Sequence, residues 1–387
     1  MKSFRSILFW MHLACGVTAG IVILIMSVTG VALTYEKQML EWADSRAWAP
    51  PAAPGPRLGP EALLARVNAE QPGARILGLT VRVDPAAPVT LMLDGNKALL
   101  VDPYSGSVIG EPPAAPRAFF RTMTAWHRYL ARDGESRATG RALTGVSNLI
   151  FFFIVLSGSY LWLPRVWSWI QVKNVLWFRG GLAPKARDFN WHNVIGIWSA
   201  IPLAVVVAGA LPISFPWASN LVYRLAGDAP PPPPTAVARP VERTATPGYI
   251  SMGLDLSWSS SQREIPAWRT LTTRLATSAA APIVVIVDEG YGGQPQKRTT
   301  LTIDRASGAI AKSEAFENLS AGRRLRSWLR FAHTGEIYGL GGQTIAGLAT
   351  AGGAVLVYTG LALALRRLAA WVARRRASSP AQGSKAA

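Results

Sequence analysis

The chain has 387 residues, half of them hydrophobic and only 16% charged. An ordinary soluble enzyme, with about a quarter of its residues charged, is excluded by that balance. The net charge of +18 would suit a nucleic-acid partner, but the basic residues gather beside long apolar stretches, where membrane topology accounts for them, so no nucleic acid is expected.

Four stretches contain no Asp, Glu, Lys or Arg: 6–35, 142–164, 189–223 and 337–365. A helix needs roughly 20 apolar residues to cross the hydrocarbon core. The stretches therefore predict membrane spans over 8–34, 143–164, 193–215 and 344–366. The first reads as an uncleaved anchor, because it is too long for a signal peptide, lacks a small-x-small cleavage site and runs on into Thr34-Tyr35-Glu36-Lys37. Lys2 and Arg5 precede it. Arg165, Lys173, Arg179, Lys185 and Arg187 face Asp188 alone between spans two and three, and the C-terminal tail carries Arg366, Arg367, Arg374, Arg375, Arg376 and Lys385. Short basic loops stay cytoplasmic, which places both termini inside and the long loops, 36–141 and 216–342, outside.

Each long loop opens with a proline-rich segment, 50–60 and 230–240. In the first, Leu63, Leu64 and Val67 have helical spacing over 61–71, which ends at Pro72-Gly73. Strands are predicted over 75–83, 89–93 and 98–102, with a turn at Asp94-Gly95-Asn96. The second is read as a helix near 267–276 followed by strands over 283–287 and 299–304. Asp102 and Asp304 each open an Asp-x-x-Ser-Gly turn, in which Asp and Ser bond locally and Gly accepts positive φ. That role accounts for both aspartates without catalysis.

The two turns are also copies. Val101-Asp102-Pro103-Tyr104-Ser105-Gly106 resembles Ile303-Asp304-Arg305-Ala306-Ser307-Gly308 at an offset of 202, and the same offset takes Gly140 to Gly342, Gly145 to Gly347, Gly158 to Gly360 and Arg165 to Arg367. At an offset of 180, His12 and Gly16 fall on His192 and Gly196. Such constancy marks an internal repeat, and the halves enter the membrane in the same sense, as parallel repeats do. The fold expected is a membrane all-α four-helix bundle with two small external α+β units. External unit one covers 35–116, amphipathic segments cover 117–132 and 321–335, a cytoplasmic loop covers 165–192, the linker with unit two covers 216–320, and a basic tail covers 367–387.

There are only four histidines, all at membrane boundaries. His12 and His192 lie at the inner starts of spans one and three. His127 and His333 precede spans two and four on the outer side. Phe120, Met123, His127 and Leu130 share one helical face, as do Leu325, Leu329 and His333, so both segments should lie along the interface with the histidine turned inward. A single boundary histidine is ordinarily an interfacial polar residue. Four of four, in two symmetric pairs at two depths, fit the axial ligation of two haem irons by imidazole, within a helix bundle. No Cys-x-x-Cys-His occurs, and Cys15 is the only cysteine, so covalent c-type attachment is excluded and two haem b are expected. Copper or zinc is the chemical rival, with Met11 and Met123 as soft ligands, but paired imidazoles without cysteine or carboxylate make a poor zinc site. Glycines in spans one, three and four allow close helix approach. Trp10, Trp126 and Trp191 stand beside histidines, with interfacial anchoring as their default. Charge pairing would bring haem propionates to Arg128, Arg326 or Arg330 outside and to Arg5 or Arg187 inside.

His12 with Leu13 and Gly16, the Ser157-Gly158-x-x-Leu161-Trp162-x-Pro164-Arg165 end of span two, and His333-Thr334-Gly335 together resemble the PepSY-associated transmembrane family over essentially the whole chain. Span four departs from the pattern, ending Leu363-Ala364-Leu365-Arg366 where an aromatic is usual. The resemblance implies PepSY-like external units and an iron-regulated bacterial inner-membrane protein. Some members are di-haem ferric-siderophore reductases. An oxidoreductase of this kind would take electrons at the His12/His192 end and deliver them at the His127/His333 end, to a substrate docked between the external units. The implied partners are a ferric siderophore (the hydroxamate type is the candidate class), a separate donor such as a quinol or a cytoplasmic reductase, and the lipid bilayer. The alternatives are a PepSY-type regulator of a periplasmic peptidase or sensor, and a metal-ion transporter.

Overall fold

The computed structural model describes residues 2–50, 55–163, 168–232, 251–276 and 278–377. Parts of the proline-rich linkers and the end of the basic tail, including Arg165 and Lys385, lie outside the described residues. In chain order the helices and strands are α1 (Lys2–Leu33), α2 (Glu36–Arg46), α3 (Pro60–Glu70), β1 (Ile76–Arg82), β2 (Val89–Leu93), β3 (Ala98–Val101), β4 (Val108–Gly110), α4 (Ala114–Tyr129) and α5 (Arg137–Trp162). Then come α6 (Trp169–Leu176), α7 (Pro184–Ser214), α8 (Pro216–Leu225), α9 (Leu254–Glu264), β5 (Thr270–Arg274), β6 (Ile283–Asp288), β7 (Arg298–Ile303), β8 (Ile310–Ala315), α10 (Ala321–His333) and α11 (Gly339–Ala377).

Four helices are long and apolar enough to cross a membrane: those containing Phe4–Leu33, Gly134–Trp162, Pro184–Ser214 and Glu336–Arg376. In lipid a backbone must satisfy its own hydrogen bonds, which a continuous helix does. α1 and α7 each pack against both α5 and α11. The helices are longer than the predicted spans. His192, expected at the boundary of a loop ending at 192, lies inside α7, more than two turns from its start. The extension is possible because Pro184 is pre-shaped for a first turn and the buried Asp188 is paired with Arg187 and Arg366.

α4 and α10 precede spans two and four as expected. α4 packs on α1 and α5, and α10 packs on α7 and α8. Each is followed by a sharp return into the next span. A Cβ on Gly140 would sit 2.1 Å from the Tyr129 carbonyl oxygen, and one on Gly342 would sit 2.2 Å from that of Gly335. Only glycine permits these two crossings, which gives the first matched glycine pair its physical reason.

Outside the helices lies one antiparallel sheet of eight strands, in the order β4-β3-β2-β1-β5-β6-β7-β8. This revises the expectation of two separate small units. Each half contributes four strands, and β1 pairs with β5 from Gly78↔Arg274 to Arg82↔Thr270. Two separate sheets would each leave an edge with unpaired N–H and C=O groups, and this seam satisfies both. The helix expected near 267–276 is instead strand β5. Thr270, Thr272 and Thr273 are β-branched and favour a pleated surface, and Leu271 alternates into the core, fully buried. The helix of that half is α9, earlier in the chain. α2, α6, α8, β4 and β8 were also missed. α3 and α9 cover one face of the sheet, burying Leu64, Val67, Leu79, Leu91, Leu254, Trp258, Val285 and Leu301. Both aspartate turns form as predicted. Asp102 Oδ1 accepts from Tyr104 N at 2.7 Å and Asp304 Oδ1 from Ser307 N at 2.8 Å, with Gly106 and Gly308 at φ +75° and +68°.

Candidate functional site

The four imidazoles occupy equivalent settings. His12 on α1 places Nδ1 2.9 Å from Ser157 Oγ on α5, and His192 on α7 places Nδ1 2.9 Å from Thr359 Oγ1 on α11. His127 on α4 reaches back along α1, with Nδ1 2.9 Å from the Met26 carbonyl and 3.1 Å from Thr29 Oγ1. His333 on α10 does the same on α7, with Nδ1 2.8 Å from the Val206 carbonyl. Ser157 and Thr359 stand at the 202 offset, Met26 and Val206 at the 180 offset. The two halves therefore use matched partners as well as matched histidines.

These contacts set the protons. A carbonyl can only accept, so His127 and His333 donate from Nδ1. Thr359 donates its one hydroxyl proton to Val355 O at 2.8 Å, and Ser157 donates to Ile154 O at 3.2 Å. Those hydroxyls therefore accept from His192 and His12. Thr29 donates to Ile25 O at 2.7 Å in the same way. All four rings are held as the Nδ1–H tautomer, which leaves the Nε2 lone pair for an electrophile.

Close glycines complete each setting. A Cβ on Gly158 would lie 3.2 Å from His12 Cε1, one on Gly360 3.3 Å from His192 Cε1, and one on Gly30 3.3 Å from His127 Cε1. On Gly209 it would lie 2.5 Å from Leu329 O and 3.1 Å from His333 Cβ. Gly158, Gly360 and Gly30 thus leave room for a histidine ring, and Gly209 admits the α10 backbone.

The structure brings the histidines together in the predicted pairs. The His127 and His333 ring centres are 6.2 Å apart, tilted by 43°. A metal–imidazole bond is about 2 Å, and the ring centre lies about 1 Å beyond the nitrogen, so two axial imidazoles on one ion have centres roughly 6 Å apart. His12 and His192 lie within electrostatic range of each other. Among the described residues, no three His, Cys, Asp or Glu side chains gather as a metal cluster.

The arginines are less uniform. Arg326 Nε donates to Ser219 Oγ on α8 at 3.0 Å. Arg330 lies over the Phe331 ring and Arg128 over the Tyr129 ring, at 5.4 and 5.3 Å, and both are exposed. Arg5 donates to the carbonyls of Leu161 and Leu163, and Arg187 is committed to Asp188. These last two are therefore less free than charge pairing from sequence supposed. Trp10, Trp126 and Trp191 are exposed, in keeping with anchoring at an interface. Sequence reasoning missed the Nδ1 partners Ser157, Thr359, Thr29, Met26 and Val206. Two had a signal: Ser157-Gly158 and Thr359-Gly360 are hydroxyl–glycine pairs at the repeat offset.

Four apolar helices, one antiparallel sheet outside them and the four imidazoles define the class, a membrane protein. The family model described as PepSY-associated TM region matches residues 9–367, and the chain belongs to that family. No curated protein matches it.

Proposed function

We propose that this protein is a di-haem electron-transfer protein of the bacterial inner membrane that reduces ferric siderophore and releases Fe(II) in the periplasm. The observation that carries the reading is the set of four imidazoles, each fixed as the Nδ1–H tautomer and arranged as two pairs. Membership in a family that fits iron-regulated membrane proteins supports it. We read the matched halves as an internal parallel duplication. The basic loops support a topology with both termini in the cytoplasm and the sheet in the periplasm.

His12 and His192 would hold one haem b, and His127 and His333 the other. Bound there, haem supplies reversible one-electron exchange without proton chemistry. The hydrogen bonds at Nδ1 orient the rings and raise ligand basicity. The glycines keep side chains off the rings. Arg128, Arg326 and Arg330 offer positive charge to propionates at the sheet end. The overall reaction is one electron plus Fe(III)–siderophore giving Fe(II) and free siderophore. Hard oxygen ligands hold the more charged ion far more tightly, so reduction itself loosens the iron. The electron comes from a separate donor, a membrane quinol or a cytoplasmic reductase.

The test is a pyridine haemochrome assay on the purified protein, followed by anaerobic mixing of the reduced protein with ferric siderophores. Two haems per chain and oxidation by the ferric complex are expected. A colourless protein from haem-replete cells would sink the reading and favour a PepSY-type regulator.

A further inference from the structure

The basic side chains that stand closest in sequence to His12 and His192 are already engaged. Arg5 donates to the carbonyls of Leu161 and Leu163, and Arg187 donates to Asp188. An indole is left over instead. Trp162, at the end of α5, has its Nε1 buried and without a hydrogen-bond partner among the described residues. Indole nitrogen is a donor only, and a buried donor without an acceptor is both costly and rare. Trp198 on α7 shows the usual outcome, with Nε1 donating to the Leu176 carbonyl at 2.9 Å. Of the buried side-chain atoms left without a partner, Trp162 Nε1 is the one nitrogen, and the one that lies on a membrane helix.

Helical spacing sets where this donor stands. Trp162 follows Gly158 by four residues, so the two share one face of α5. A Cβ on Gly158 would lie 3.2 Å from His12 Cε1, so that face is turned toward the imidazole. Trp162 stands one turn further toward the end of the helix, and its Cα–Cβ bond tilts back in the direction of Gly158. Arg5 steadies the turn. The two carbonyls it binds belong to the residues on either side of Trp162, and its guanidinium lies 5.9 Å from the Tyr160 ring centre.

The other half has no equivalent. The 202 offset takes Trp162 to Ala364, which carries no donor in its side chain. On that side Asp188, buried four residues before His192, accepts from Arg187 and Arg366. The unsatisfied N–H therefore marks one end of the site, next to α1 and α5.

Resting on the di-haem reading, we propose that Trp162 is a cofactor-binding residue, whose indole N–H donates to a propionate carboxylate of the haem between His12 and His192. It takes the place that charge pairing gave to Arg5 and Arg187, and Arg5 acts on it only by holding the backbone at its two neighbours. The test is resonance Raman spectroscopy of the full-length holoprotein, read at the propionate bending band, together with the rate of haem loss to excess apomyoglobin. In Trp162→Phe the propionate band of one of the two haems shifts while the bands that report six-coordinate iron stay in place. One of two phases of haem loss becomes about tenfold faster, as deletion of a hydrogen bond to a charged acceptor requires. Replacement of Trp162 by benzothienylalanine, which keeps the bulk and has sulfur where the N–H stands, gives the same shift. Trp198→Phe deletes an N–H that is bonded to protein and leaves the propionate bands unmoved. A di-haem protein whose propionate bands are unmoved in both Trp162 variants, or equally shifted in Trp198→Phe, overturns the proposal and leaves the reductase reading standing. A wild-type protein without haem overturns the reductase reading itself.

Discussion

The two imidazole pairs are alike in plan and different in what holds them. His12 and His192, far from the sheet, lie 2.9 Å from the hydroxyls of Ser157 and Thr359, with the backbone of Ile154 and Leu356 as second partners. His127 and His333, near the sheet, have the backbone carbonyls of Met26 and Val206 as their nearest partners, and His127 adds Thr29 Oγ1 at 3.1 Å. A hydroxyl can be deleted by substitution, whereas a helix carbonyl cannot. The nearest partner of each ring in the first pair can therefore be removed by mutagenesis, and that of each ring in the second cannot.

The sharpest way to break this comparison is to remove the rings. On the proposed di-haem reading, His127→Ala and His12→Ala should each abolish about half the pigment, because each would delete one axial ligand of one iron in two. Haemochrome quantification checks it, and loss of all pigment from one substitution would show that the pairs are not independent. Next in size is crowding. Gly209→Ala forces a Cβ to 2.5 Å from Leu329 O, and overpacking of this kind costs about 1–3 kcal/mol. Gly158→Ala and Gly360→Ala meet only a ring carbon at 3.2–3.3 Å and should cost less, roughly 1 kcal/mol. Thermal unfolding followed at the haem band would rank them.

A finer contrast comes from the Nδ1 partners. Ser157→Ala or Thr359→Val removes a hydrogen bond of about 1 kcal/mol, which moves a one-electron potential by at most roughly 40 mV, the value for a bond felt in one oxidation state only. Spectroelectrochemistry should show one of two potentials moving. Thr29→Val should move the other less, because its hydroxyl is the more distant of the two partners of His127. Equal shifts from Thr29→Val and Thr359→Val would erase the distinction between the pairs.

The smallest expected effect concerns the helices that carry the second pair. α10 is tied at its start by Asp228, which accepts from the Ser320 hydroxyl and the Gly322 amide, and these bonds hold its carboxyl below the usual range. α4 starts at Pro113 without any side-chain cap. A depressed carboxyl contributes stability above its unfolded value of about 4, lost as pH falls through the folded value. Hydrogen exchange at the first turn of α10 should therefore accelerate below about pH 4, and Asp228→Asn should remove that dependence. Exchange at the first turn of α4 should show no such step.

The membrane helices were legible because the demand that makes them is local. A stretch without charge and long enough to cross lipid has one stable backbone solution. The matched spacing of glycines and histidines was legible, and the pairing of His127 with His333 followed from it. Strand β5 was misread because a short segment such as Thr270–Arg274 is decided by its neighbours on both sides, β1 and β6, and not by its own spacing. The Nδ1 partners were hidden because a serine or threonine in an apolar helix ordinarily bonds its own turn, as Ser157 and Thr359 also do.

By itself the amino-acid order determined that four helices are apolar enough for a bilayer and that its scarce imidazoles and several glycines stand at matching spacings, since composition and spacing need no distant partner. The tertiary structure alone decided that both halves share a single sheet and that every ring presents Nε2. Those outcomes depend on contacts between residues 98 to 167 positions apart and on a seam joining strands from opposite halves, which no local pattern encodes.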